Sequence, residues 1–355
     1  MRLAFMSAAV LAIAVTASRA QEPRVPDAAT LERMAARFAP TEISADLSAL
    51  SSSDRQVLAK LVEASKILDG IYLRQAWAGN AAMLLDLARD NSPEGKARLH
   101  YFLINKGPWS RLDENQPFVP GAPTKPAGAN FYPPDASKDD VDRWMRSLSD
   151  TDRAAASGFF TVIRRSGRGF SAIPYSVEYQ GELARAASLL REAARLSTEP
   201  TLQSFLNTRA AAFLSNEYYD SDVAWMELKG AIEPTIGPYE VYEDEWFNYK
   251  AAFESFIAVQ DEAETLKLQR FAGQLQDIED HLPLDPRYRN PRLAALAPIV
   301  VVNEVFAAGD ANRGVQTAAF NLPNDERVVR EKGAKRVMLK NVQDAKFAKT
   351  LLPIS

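Results

Sequence analysis

The chain has 355 residues, 46% of them hydrophobic and 25% charged, with a formal net charge of −4, two histidines and no cysteine. This is the composition of a globular protein with a sizeable core, and the length suggests about two domains. Without cysteine there is neither disulfide nor thiol nucleophile, and a mildly acidic chain argues against nucleic acid or an anionic membrane as partner.

Met1-Arg2 precede an apolar run from Leu3 to Ala17, and Ser18-Arg19-Ala20 place small residues at −3 and −1 before Gln21. That pattern is a secretory signal peptide over 1–20, cut after Ala20. An uncleaved anchor is the alternative, but the run is shorter than the roughly 20 apolar residues of a membrane span. Losing Arg2 and Arg19 takes the net charge from −4 to −6. The expectation is a soluble, exported, periplasmic protein with no membrane attachment after cleavage.

Asp27 is placed to cap a short helix through Phe38, and a long helix starts at Ser53-Asp54. Val57, Leu61, Ala64, Leu68 and Ile71 follow at steps of four and three, the buried stripe of a helix. Gly79-Asn80 ends it. Helices follow over 81–89 and from Pro93, the latter carrying His100. Between 107 and 135, seven prolines deny helix and central strand, while Trp109, Phe118, Phe131 and Tyr132 argue for packing. This segment reads as an ordered crossing loop that closes a helical region over 21–150.

The remainder, 151–355, reads as mixed α/β. Short helices over 139–147 and from 149 lead into a β-hairpin, 160–165 and 170–173, turned by Ser166-Gly167-Arg168-Gly169. Helices over 178–196 and 200–214 precede the acidic, aromatic 216–222, read as a solvated helix entry. Between Glu233 and Glu245 stand five carboxylates with Tyr239 and Tyr242 among them. Gly237-Pro238 is expected to set a turn, after which Glu240 and Tyr242 leave one face of an extended backbone. Two readings remain open for this stretch. It is either a solvated acidic turn leading into core aromatics, or a face where a carboxylate and a phenol hold a cationic amine beside a carbonyl.

Leu268, Phe271, Leu275 and Ile278 predict one more amphipathic helix, ended by His281-Leu282-Pro283. Ile299–Val302 reads as a buried strand and 315–321 as a second extended segment. Leu322–Glu326 turns into a helix, and the basic last 20 residues read as a solvated helix face. The fold class is α+β, helix-dominated, with a small mixed sheet from segments near 160–175, 230–258, 298–306 and 315–321.

The catalytic signatures of nucleophile elbows and phosphate loops are absent. His100 reads as a core or interface residue and His281 as a helix-end cation, and neither begins a His-Glu-x-x-His pattern.

Ile236-Gly237-Pro238-Tyr239-Glu240-Val241-Tyr242-Glu243-Asp244, followed by Tyr249-Lys250-Ala251-Ala252-Phe253-Glu254, resembles the dipeptidyl peptidase III family of zinc exopeptidases. Leu322–Arg327, Glu331–Gly333 and Lys335–Val342 resemble a further block of it, and Gly107–Asn115 with Lys125–Pro133 resemble its bacterial members. The resemblance implies a barrel-like substrate lobe that takes a short peptide as an added strand, facing a helical zinc lobe. It implies that Tyr242 hydrogen-bonds the scissile carbonyl region and that Glu240 receives the peptide's free amine. Asn321 and Asn324 are implied to bind its amino end and backbone, although turn formation at Pro323 accounts for them equally. The family's zinc motif is expected beyond these residues, so zinc belongs to the family and none is expected here. Such a chain binds short peptides, is inactive alone, and has a missing C-terminal portion as candidate partner. The alternative is an exported, non-catalytic peptide-binding protein. A hydrolase using carboxylates alone ranks last.

Overall fold

The computed structural model describes residues 25–291 and 299–354; residues 1–20, read above as a signal peptide, lie outside them. Helix α1 (Ala28–Ala36) is capped by Asp27, whose carboxylate accepts the Thr30 amide hydrogen. Helix α2 (Ser52–Ala76) starts with a capping box between Ser51 and Asp54, one residue ahead of the expected start. Its predicted stripe, Val57 to Ile71, is completely buried. Helices α3 (Asn80–Arg89) and α4 (Pro93–Asn105) follow. The proline-rich segment is ordered and holds two short paired strands, β1 (Trp109–Ser110) and β2 (Gln116–Pro117). Its Trp109, Phe118, Phe131 and Tyr132 are buried, as the aromatic count predicts.

After α5 (Lys138–Ser147) and α6 (Asp150–Ser157) comes the hairpin of β3 (Thr161–Ser166) and β4 (Gly169–Pro174). It stands apart from the main sheet, which corrects the expectation that it belongs there. Helices α7 (Tyr175–Glu178), α8 (Gln180–Leu196), α9 (Pro200–Ser215) and α10 (Tyr219–Met226) complete the helical layer. The predicted solvated entry to α10 is corrected too: Asp222 is buried and pairs with the fully buried Arg209 at 2.6 Å.

The main sheet is a curled half-barrel built from β5 (Ile232–Glu240), β6 (Ala252–Gln260), β7 (Ile299–Ala308), β8 (Ala319–Leu322) and β9 (Lys335–Leu339), in the order β5-β6-β7-β9-β8. It is mixed, since β7 and β9 run parallel and every other pair antiparallel. Helices α11 (Glu262–Ala272) and α12 (Leu275–Asp280) replace the single helix expected there, interrupted at Gly273, and Phe271 and Ile278 are exposed. Helix α13 (Glu326–Lys332) links β8 to β9, and α14 (Lys340–Lys346) follows β9. Strand β9 corrects the reading of the basic C-terminal stretch as helix alone. Lys335 is buried, and its Nζ donates to Glu233 Oε1 at 2.6 Å and to the Trp225 carbonyl at 2.7 Å. The core packs α2 between α8 and β6.

Candidate functional site at the open edge of the half-barrel

Strand β5 runs straight through Gly237-Pro238, paired with β6 from Ile232↔Val259 to Pro238↔Phe253. The expected turn is therefore absent. As an edge strand with one neighbour, β5 accommodates Pro234 and Pro238 without losing an internal ladder. A Cβ at Gly237 would stand 2.6 Å from Arg209 Nη1, so glycine is there for close packing. The register shifts between Pro238 and Glu240, and the strand ends at Glu240.

Glu240 and Tyr242 consequently do not share a strand face. Tyr242 lies in a turn with its ring 82% exposed, and the Glu240 carboxylate accepts the Tyr242 backbone N–H through Oε1. Glu240 Oε2 is buried and has no partner. Burial, then the charge of Glu243, pushes the Glu240 carboxyl up to about 8.

The solvated-turn reading holds for the exposed Glu245 but fails at Asp244 and Glu243, which are buried and matched. Asp244 is buried; it accepts the Tyr132 hydroxyl at 2.8 Å and four backbone N–H groups, those of Trp246, Phe247, Tyr249 and Lys250. Glu243 is buried too. Its Oε1 accepts from Arg111 Nη2 at 2.6 Å and from the Tyr72 hydroxyl at 2.9 Å, while Lys125 Nζ lies 3.4 Å from Oε2. Arg111 Nη1 also pairs with Asp310 Oδ1 at 2.6 Å. Burial pushes Glu243 up, but Arg111 and Lys125 more than offset it and hold the carboxyl below its ordinary value. Burial leads the opposite outcome at Asp310 and at Glu254, both raised, with Glu240 next in effect on Glu254. Residues from α2, the proline-rich loop, the turn after β5 and the end of β7 thus meet beside Glu240.

Asn324 joins the two edges of the half-barrel. Its Nδ2 donates to the Tyr239 carbonyl at 2.7 Å, fastening the residue just after β8 to the end of β5. Tyr239 is itself held by Arg209 and Asp222 through its hydroxyl. Asn321 is exposed on β8 opposite Arg336, three residues from Asn324 across a cis Leu322-Pro323 bond. Strand β8 has only β9 as neighbour, so its outer edge is open for another strand. Asn324 therefore stands beside Glu240 where the ends of β8 and β5 are joined, with Asn321 three residues away on β8 and Tyr242 exposed in the turn after β5. Arg111, Tyr72, Lys125, Glu254 and Asp310 escaped the sequence reading. Arg111, Lys125 and Glu254 did lie inside stretches singled out for other reasons.

The histidines do not approach this opening as ligands. His100 is exposed on α4, and His281 is exposed after α12 with Nδ1 2.7 Å from the Asp277 carbonyl. Among the described residues no three His, Cys, Asp or Glu side chains stand where they would hold a metal. The donor set present does not fit zinc.

The sequence profile of peptidase family M49 matches residues 172–354, just over half of the chain. The chain belongs to peptidase family M49, the dipeptidyl peptidase III family. Solved members superimpose closely. The dipeptidyl-peptidase III of Corallococcus sp. strain EGB is 61% identical, with a TM-score of 0.86, covering 93% of this chain and 62% of that one. That of Caldithrix abyssi is 49% identical at the same TM-score, covering 91% and 62%. Among curated proteins, "Nudix hydrolase 3" of Arabidopsis thaliana is 40% identical over 92% of this chain and 48% of its own length. Human "Dipeptidyl peptidase 3" is 30% identical over 125 residues, 35% of this chain and 16% of its own length. This M49 chain thus spans at most about half of the curated relatives it matches. The Arabidopsis name belongs to a protein of which 52% lies outside the alignment.

Proposed function

We propose that this chain forms the peptide-binding part of a dipeptidyl-peptidase III-like metallopeptidase and grips the amino end of a short extended peptide. The observation that carries the reading is the Asn324–Tyr239 hydrogen bond, which sets the open edge of β8 beside Glu240. A peptide added along β8 gains main-chain hydrogen bonds without regard to its sequence. Its ammonium is received by the Glu240 carboxylate, whose second oxygen has no other partner. Asn321 and Asn324 supply side-chain amides to the peptide's first residues, and the exposed Tyr242 phenol swings onto a carbonyl. Zinc, where the family holds it, activates water, and the described residues of this chain do not fit it. This chain alone binds peptide without cleaving it.

Titration calorimetry with a tetrapeptide tests the binding. Glu240→Ala and N-acetylation of the peptide are each expected to weaken affinity at least tenfold, and Tyr242→Phe to weaken it less. Unchanged affinity in Glu240→Ala overturns the assignment. Turnover of a dipeptidyl-naphthylamide by the chain with added zinc would overturn its inactivity. The second reading, an exported non-catalytic peptide binder, draws on the signal-like residues 1–20. It predicts recovery from a periplasmic fraction with a new N-terminus at Gln21.

A further inference from the structure

A cavity of about 690 Å³ opens along β7, between the 37–43 segment, the 312–316 loop and the helix that follows β9. Glu304 lines it. The residue is 6% exposed, and its Oε2 has no hydrogen-bond partner among the described residues. The backbone of Glu304 is fixed by Asn341, which accepts its N–H and donates to its carbonyl, both at 2.9 Å. The residue lines the cavity with its carboxyl unpaired, and burial pushes that carboxyl up to about 7.

Among the acids less than a tenth exposed, Glu304 alone has no donor to its carboxylate within the described residues. Asp222 has Arg209, Glu233 has Lys335, Glu243 has Arg111, and Asp244 has Tyr132 with a fan of backbone N–H groups. A buried carboxyl without a donor is costly unless something outside the chain supplies one. The cavity carries the opposite charge elsewhere on its lining. Arg313 and Lys349 face it and make no ion pair among the described residues, whereas Arg37 is engaged by Asp113 and Lys346 by the Gln316 carbonyl. Phe38, Ile43, Val305 and Phe306 supply apolar wall.

We propose that this cavity binds a small zwitterion with an apolar side chain, an amino acid or dipeptide, with its ammonium on Glu304 and its carboxylate on Arg313 and Lys349. One acid, free cations and an apolar wall in a single cavity match the three parts of such a molecule, and the volume suits a small ligand. The site is separate from the opening at Glu240 and does not depend on the function proposed for it.

Calorimetry of Ala-Leu against the full-length Glu240→Ala variant isolates this cavity. Binding is expected to persist there. N-acetyl-Ala-Leu and Ala-Leu amide, each lacking one charge, are expected to bind about tenfold or more weakly. Glu304→Gln in the same background is expected to weaken Ala-Leu by a similar factor, with thermal unfolding confirming that the fold is kept. No binding in the Glu240→Ala background overturns the proposal, as does equal affinity for the acetylated analogue. The analogue series is read on a chain with Glu304 intact, so it decides even where Glu304→Gln fails to fold.

Discussion

Replacing Arg111 by Met probes the buried charge network beside Glu240. Arg111 holds Glu243 at 2.6 Å and Asp310 at 2.6 Å, and the Glu243 side chain is 5% exposed. Removing the guanidinium strands a buried carboxylate, which costs about 3–5 kcal/mol when no partner remains. Lys125, 3.4 Å away, and the Tyr72 hydroxyl stay in place, so the lower end, about 3 kcal/mol, is expected. Asp310, 35% exposed on its side chain, recovers water and adds little. Arg143→Ala serves as control: its pair with Asp140 lies on the surface and its loss is expected to leave the urea midpoint in place.

The pH dependence gives this prediction a second edge. Glu243 is net lowered in the folded chain, so its contribution is full above the unfolded carboxylate value of about 4.3 and fades as pH falls through the lower folded value. In Arg111→Met the same carboxyl stays buried with less cationic support and its pKa rises. The deficit is then largest at pH 8 and shrinks toward pH 5, as the carboxyl takes a proton. Urea unfolding at pH 8, 6 and 5 reads both features. A deficit under about 1 kcal/mol at pH 8, or one that does not shrink on acidification, would refute the view that Arg111 is there to compensate Glu243.

Three further outcomes follow from the same geometry. Lys335→Met leaves Glu233 buried and unpaired, and is expected to cost about 3–5 kcal/mol in urea unfolding, while Glu233→Leu with Lys335→Met recovers most of it because no charge is stranded. Gly237→Ala drives a Cβ against the locked Arg209 guanidinium and is expected to cost about 1–3 kcal/mol; a change within error places the slack elsewhere on β5. Peptide binding at Glu240 is expected to strengthen from pH 6 to pH 8, as a carboxyl with a folded value of about 8 ionises, and to release a proton at pH 7, read by calorimetry in two buffers of different ionisation enthalpy. Affinity flat across that range removes Glu240 from the ammonium contact.

What the sequence made legible here were the features whose cause is local. The stripe from Val57 to Ile71 is periodic within one helix, and the Ser166–Gly169 turn sits between two β-prone runs. What it hid were causes that lie far along the chain. Gly237 and Pro238 look like a turn because both residues usually punctuate; they stay in a strand because Arg209, 28 residues earlier, demands the glycine and because β5 is an edge. Lys335 reads as solvated until Glu233, 102 residues away, is brought to it by the parallel β7–β9 pairing and the curl of the sheet. The same holds at the site. Glu240 and Tyr242 stood out as a carboxylate and a phenol two residues apart, while Asn321 and Asn324 came from the resemblance alone, which names residues without placing them. The partners that set the charge around Glu240 come from four segments between Tyr72 and Asp310, so no spacing rule finds them. One short hydrogen bond, from Asn324 to the Tyr239 carbonyl, turns two remote motifs into neighbours. The half-barrel's curl makes that bond possible, because it bends the last strand in the sheet order back toward the first. On the proposed reading, peptide binding depends on this closure, and loosening either edge is expected to weaken peptide before it unfolds the core.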